Sequence, residues 1–193
     1  MASTPNNTQN VSVGKGVSGG YMFVAPAGTA LPTDYTTTLA ATYLNVGYLG
    51  DDGIVFSDSS SNDSFYDLNG DSIESSASEI EKTFTVTLRE IKKDSLALIY
   101  GTANVTDAEG KLTVHDKGPN DASYVVVFEL LLKNGRKWRR VVPNCKLGEL
   151  GDMTVVSTEL VGREITMSAL KDATSGDYYI DYYASTETTA AGV

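Results

Sequence analysis

The chain has 193 residues, 41% of them hydrophobic, and a formal net charge of −10; that length can bury one core of ordinary size, while the acidic balance argues against gripping nucleic acid or an anionic membrane. The charge is concentrated: no lysine or arginine lies between Lys15 and Lys82, and the ten carboxylates of that stretch equal the whole net charge. No apolar run approaches the roughly 20 residues that span a bilayer, Met1 to Asn10 lack the basic and apolar regions of a signal peptide, and one cysteine, Cys145, excludes an internal disulfide and suits a reducing cytoplasm.

Both ends are polar or small and read as arms, 1–15 and 185–193, flanking a domain expected over 16–184. Gly20 to Val24 is a short apolar run stopped by Pro26, and Tyr43 to Leu49 is another, ended by Gly50. Residues 51–78 are rich in Asp, Ser and Gly and read as a long acidic loop carrying Asp51, Asp52, Asp58, Asp63, Asp67, Asp71 and Glu74. A loop of that length inside a compact domain is usually functional. Its scattered aromatics suggest that it orders on contact.

Ile80 to Ile91 is the clearest strand: Phe84, Val86 and Leu88 alternate with Thr83, Thr85 and Thr87, giving one core face and one polar face. Asp94 or Ser95 is placed to cap a short helix in which Leu96, Ile99 and Tyr100 fall at i, i+3 and i+4, with Gly101 as its left-handed stop. Lys111 to His115 reads as a strand. Asn134-Gly135 between alternating runs predicts a type I′ hairpin over Tyr124 to Val142. Its two-residue register sets Leu131 opposite Trp138 and Glu129 opposite Arg140, each pair contributing roughly 0.2–1 kcal/mol. Val126, Phe128, Leu130 and Leu132 then share an apolar face with Val141. Lys146 to Val156 and Gly162 to Leu170 form a second strand pair, with Ile165, Met167 and Ala169 on one face, and Tyr178 to Tyr183 closes the set. The expected fold is mostly β, an antiparallel barrel or sandwich with one short flanking α-helix and a long acidic loop.

Several motifs invite chemistry and have plainer readings. Gly16-Val17-Ser18-Gly19-Gly20 matches the nucleophile elbow, yet lacks the strand before and helix after that the motif requires, so it reads as a glycine hinge. His115, the only histidine, reads as a surface strand residue, and Cys145 as a buried or half-buried thiol. Asp67-Leu68-Asn69-Gly70-Asp71 resembles the opening of a calcium loop, but Ser72 replaces its turn glycine and Ser78 stands where the twelfth-position Glu belongs. Lys133, Arg136, Lys137, Arg139 and Arg140 form the one basic cluster, around Trp138. It reads best as an electrostatic socket for an acidic partner, and the 51–81 segment of a neighbouring copy is the obvious candidate. No catalytic residue, metal or cofactor is expected.

With its elements in this order, the chain resembles a major tail tube protein of a long-tailed, siphovirus-type bacteriophage, from about Gly14 to Tyr183. The likeness rests on Ala25 to Asp34, the acidic turn of Gly47 to Gly53, the Asn69-Gly70-Asp71 step and the return at Ser75-Ser76. It continues through the Thr-alternating strand and helix of Lys82 to Gly101, the basic hairpin running into Val141 to Pro143, and Gly151-Asp152. The resemblance implies a non-enzymatic virion subunit, made in the host cytoplasm, that closes hexameric rings and stacks them into a conduit for genome delivery. It implies a loop reaching the adjacent ring, arms adding contacts, and tape-measure, tail-tip and tail-terminator proteins as partners. DNA would pass an acidic bore without binding, since phosphates find no cations there. Glu149, Asp152, Glu159 and Glu164, placed in late strands, are the candidate bore residues. Two alternatives stand beside it: a soluble β-sandwich module binding a receptor or carbohydrate through Tyr178, Tyr179, Tyr182 and Tyr183, and the tube subunit of a contractile secretion system.

Overall fold

A computed structural model of the chain describes residues 6–185; residues 1–5 and 186–193 of the expected arms lie outside the described residues. Eleven strands and one α-helix follow in order: β1 (Lys15–Gly16), β2 (Met22–Pro26), β3 (Leu44–Asn45), β4 (Leu49–Tyr66), β5 (Ser72–Leu88), α1 (Lys93–Tyr100), β6 (Val105–Ala108), β7 (Lys111–Val114), β8 (Ser123–Leu131), β9 (Lys137–Leu150), β10 (Arg163–Ala169) and β11 (Ile180–Tyr183). Nine strands make one antiparallel sheet, ordered β3-β2-β8-β9-β10-β5-β4, with β1 also on β8 and β11 also on β9. β6 and β7 form a separate hairpin.

The fold is mostly β, as expected, but the sheet does not close into a barrel. It curls until β4 and β5 pack over β8, and the ring of Phe128 takes Phe84 and Phe56 edge-on at 5.2 and 5.3 Å between centroids. Met22, Val86, Val142, Ile165 and Met167 fill the inside of this curl, and α1 covers it with Leu98 and Ile99. Across the open seam, the Leu49 amide donates to the Tyr21 hydroxyl at 2.7 Å. The alternation of Phe84, Val86 and Leu88 and of Ile165, Met167 and Ala169 falls on the core face as read.

Strand β8 is buried on both sides. Val126 and Phe128 face the main core, while Val125 and Val127 join Ala25, Tyr43 and Val141 in a second core. Val141 therefore belongs opposite Val127, not on the face of Val126 as the hairpin pattern implied. A loop over 27–42 covers this second core. Buried Arg139 holds it down, its Nη1 donating to the carbonyls of Asp34 at 2.6 Å and Thr37 at 2.8 Å. Its other guanidinium nitrogens meet Glu129 at 2.8 and 2.5 Å.

Other expectations need correction. Asn134 and Gly135 both have positive φ, as their turn type demands, but Leu132 and Arg136 close the ladder and shift it by one residue. Leu130 faces Trp138 and Glu129 faces Arg139, in place of Leu131 with Trp138 and Glu129 with Arg140. The strand predicted from Lys146 is the second half of one long β9, and residues 151–162 are irregular. Pro143 is tolerated inside β9 because it lies between partners: β11 pairs as far as Val141 and β10 starts at Cys145. Lys92 takes the N-cap position without a side-chain cap, its amide donating to the Ser95 hydroxyl, which bonds back to the Glu90 and Lys92 carbonyls; the helix buries Ala97, Leu98 and Ile99, leaving Leu96 half-buried. Gly101 stops it with positive φ but extended ψ.

The largest correction concerns 51–78. It is no loop: β4 and β5 pair from Leu49↔Leu88 to Tyr66↔Ser72 and turn at 67–71. The long acidic segment is a ribbon.

Phe128→Ala should cost about 3–5 kcal/mol, read as a lower urea midpoint with an unchanged slope. Val55→Ala, exposed on the opposite face, should change stability by about 0.5 kcal/mol or less. Asp34 gives a pH test. Bonds from the Thr36 side chain first, then its backbone amide and the same groups of Thr37, lower its pKa to about 2. A depressed carboxylate stabilises the loop above its unfolded pKa and loses that contribution as pH falls from about 4 through 2. Amide exchange at Thr36 and Thr37 should therefore accelerate across that window before global unfolding; unchanged protection down to pH 2 would contradict it.

Candidate assembly surfaces

Beyond Ser57 and Thr83 the ribbon stands clear of the sheet. Almost every residue from 57 to 81 is exposed. At about 3.3 Å per residue, the nine residues of Asp58 to Tyr66 reach roughly 30 Å. Hydrogen bonds along the whole ladder and bulges after Ser61 and Phe65 fix its twist and register. At the tip Asp67 organises the turn, its Oδ1 accepting from the amides of Asn69 at 2.9 Å and Asp71 at 2.8 Å, with Gly70 at φ 86°. The calcium-like aspartate is thus engaged by its own backbone, and those amides, that of Asp71 first, lower its pKa.

Pairing settles which side chains share a face. Phe56 and Phe84 point into the core, so Ser57 with Thr83, Ser59 with Glu81 and Ser61 with Glu79 point away from it. Past the bulge, Asp63 with Ser76 and Phe65 with Glu74 continue that outward row. On the sheet it runs into Thr85, Thr166 and Glu149, with Glu164 opposite Thr87; the hydroxyls of Thr85 and Thr166 meet at 2.8 Å. One face therefore carries mainly hydroxyls and carboxylates from β9 to the ribbon tip, with Val55 and Phe65 exposed among them and Lys146 at its margin opposite Ser168. It gathers Glu149 and Glu164 of the four late carboxylates. Asp152 and Glu159 lie in the irregular 151–162 segment, not in strands. Of the ribbon's own carboxylates, Asp58 pairs with Lys82 at 2.8 Å on the other face, and Asp51 and Asp52 sit at its root, Asp52 accepting from the Thr87 hydroxyl at 2.6 Å.

The five cations of the basic hairpin divide. Arg139 is buried against Glu129. Arg140 bonds Asp181 through Nε and Nη2 at 2.9 and 2.7 Å and stacks on Phe56 at 4.3 Å. Sequence reasoning missed Asp181, which also takes the Trp138 indole N–H at 2.7 Å; β11 brings it there from 41 residues away. Lys133 and Lys137 stay exposed, and Arg136 reaches only the Ala184 carbonyl, so these three make no ion pair among the described residues. The late tyrosines also divide. Tyr179 packs on Phe56, Tyr182 faces the second core and Tyr183 stacks on Trp138 at 5.5 Å. Tyr178 lies with Tyr179 beside the Lys82 ammonium, at 5.9 and 5.6 Å, so the four rings are spread over different contacts.

Among the described residues, two of the apolar hollows exceed 400 Å³. One, about 410 Å³, fills the unclosed seam between β1 and β4 and is lined by Tyr21, Leu49, Ile54, Phe56, Leu130 and Trp138. The other, about 460 Å³, runs along α1 past Leu96, Ile99, Leu112 and Met153, with Glu90 and Arg163 in its wall. The Gly16–Gly20 stretch is a turn between two strands, not a strand-to-helix elbow. Cys145 is buried, its thiol pKa raised by that burial, and donates to the Tyr124 carbonyl at 3.3 Å.

A family model described as phage tail tube protein matches residues 4–191. Among solved structures the chain is similar to the cap that terminates the tube of the anti-feeding prophage, at 13% identity over 91% of this chain and 96% of that one, with a TM-score of 0.37. It is also similar to the sheath–tube complex of the extracellular contractile injection system PVC in its extended state, at 10% identity over 87% and 92%, with a TM-score of 0.34. No curated protein matches it in sequence. The family match spans nearly the whole chain, and the chain belongs to the phage tail tube protein family.

Proposed function

We propose that the chain is a non-enzymatic structural subunit that closes rings of six, stacks them, and so builds the tube through which a phage delivers its genome. The observation that carries this reading is the ribbon. An isolated two-stranded hairpin is marginal in water, and this one, about 30 Å long with both faces wet, is supported once it lies on another copy. Such contacts join unlike surfaces, and heterologous contacts generate rings when they close and filaments when they repeat axially.

The outward hydroxyl and carboxylate face is the surface suited to a bore. Thr85 and Thr166 bond each other, and Glu149, Glu164, Glu79 and Glu81 repel phosphate, so DNA would find few cations to hold it. The uncommitted basic tip of Lys133, Arg136 and Lys137 complements the ribbon's acids. Tape-measure, tail-tip and tail-terminator proteins would set length and ends, and the site of action would be the virion tail. The carbohydrate-module alternative loses its motivating feature, because the tyrosines face different ways.

Asp63→Lys, Asp71→Lys and Glu74→Lys together spare the turn-forming Asp67 and should leave the fold intact. They should raise the concentration needed for polymer about tenfold or more, equivalent to about 1.4 kcal/mol per contact, measured by sedimentation at low salt. Polymerisation at the wild-type concentration would remove the ribbon from the assembly contact.

A further inference from the structure

We propose that the irregular segment between β9 and β10 is a strap that closes into the hollow beside α1, carrying Val155 and Val156 inside and setting Glu159 on the Arg163 guanidinium. Two independent features point to it: a cation on the core face that lacks a counter-charge, and exposed apolar side chains on a loop tied down at the same place.

Arg163 stands in line with Ile165, Met167 and Ala169, all buried, so its side chain leaves β10 on the core face, opposite Leu88. A guanidinium carried inwards is unfavourable unless its donors are met. Nη1 donates to the Tyr100 hydroxyl at 3.0 Å. Nε is buried with no hydrogen-bond partner, and Arg163 makes no ion pair among the described residues. Glu90 lines the same hollow but is already engaged: its carboxylate accepts from the Tyr48 amide at 2.9 Å and pairs with Lys92 at 3.1 Å. The remaining lining is mostly apolar, with Leu96 and Ile99 from α1 and Leu112 from β7.

The segment is tethered at the mouth of this hollow. At one end the Gly151 amide donates to the Glu164 carbonyl at 2.9 Å, and at the other Arg89 Nη1 donates to the Leu160 carbonyl at 2.8 Å. Met153 and Val161, just inside the two tethers, already line the hollow. Gly162 permits the close return, since a Cβ there would meet the Arg89 side chain at 2.8 Å and the Leu88 carbonyl at 3.1 Å. Between the tethers Val155 is 71% exposed and Val156 43%. Compact loops whose ends lie together usually pack on their own side chains; this one leaves them in water beside an apolar hollow of about 460 Å³, room for more than one aliphatic side chain. Val155 and Val156 lie four and five residues beyond Gly151, a reach of roughly 15 Å, so they can turn inwards with both tethers kept. Glu159 lies four residues from Arg163, whereas Asp152 has a shorter side chain at the opposite tether. Closure removes the valines from water and gives Arg163 its counter-charge where a low dielectric strengthens the pair.

The test traps the closed strap in dilute, unassembled chain, so its outcome is independent of the tube reading. A chain carrying Val156→Cys and Leu96→Cys, the latter in the hollow wall on α1, is oxidised with copper–phenanthroline; the native thiol, Cys145, is fully buried. Most chains should run as a faster-migrating monomer on a non-reducing gel. Adding Glu159→Lys, at an exposed position, should slow trapping about tenfold or more, and adding Arg163→Glu to that chain should restore it. Asp152→Lys should change the rate by about twofold or less. Amide exchange reads the strap without thiols: residues 153–160 of the unsubstituted chain should exchange about tenfold more slowly than in Glu159→Lys alone. Equal exchange in those two chains, or trapping indifferent to Glu159, overturns the strap. Disulfides that join two chains instead also overturn it and give the hollow to a second copy.

Discussion

Burying strand β8 on both faces requires two separate covers, and providing them fixes where the rest of the chain lies. One cover is the sheet itself, curled until Phe56 and Phe84 reach Phe128. The other is the 27–42 loop, which lacks a ladder of its own and is held by the Arg139 guanidinium. With the inside of the curl dry, the opposite face of the second half of β9 and of β10, β5 and β4 is left largely polar. Because the curl stops short of closure, an apolar seam stays open beside β1. Core packing, the polar face and the seam are consequences of one constraint.

The ribbon extends that architecture beyond what the chain can stabilise alone. Its ladder runs to the tip apart from two bulges, but hydrogen bonds exchanged with water contribute little net, and neither face gains burial. Carboxylates along the outward row keep so long an exposed strand pair from pairing indiscriminately with others, a known hazard of bare edges. In the proposed tube the same charges would favour a cationic surface on a neighbouring copy. Screening by salt acts on exposed charges of this kind, so the proposed assembly should weaken as ionic strength rises.

Much of the fold was legible in the sequence where one face of a strand is dry. The alternations around Phe84 and Ile165 fell where the pattern put them, and the mostly antiparallel β class followed. The ribbon was illegible for the complementary reason: with both faces wet, residues 57–81 carry no period of two, and Ser and Asp are poor strand formers. Asn69-Gly70 midway between the chain's Phe56 and Phe84 was the available signal, since a Thr-alternating strand needs a partner and that dipeptide turns a hairpin. β8 misled in the opposite sense: burial on both faces erased its alternation and hid that Val141 serves the second core. The one-residue slip at Lys133–Gly135 could not be read from the dipeptide alone. The commitment of Arg139 and Arg140 depends on Glu129 and Asp181, and β11 reaches Asp181 only through the tertiary fold.

The most direct test of the central claim is a cryo-electron microscopy reconstruction of the concentrated, purified chain. A hollow tube of stacked rings, with Thr85, Glu149 and Thr166 facing the bore and the ribbon bridging successive rings, is the expected result. A tube whose outer wall carries that hydroxyl and carboxylate face, or a chain that stays monomeric at every concentration, would contradict it.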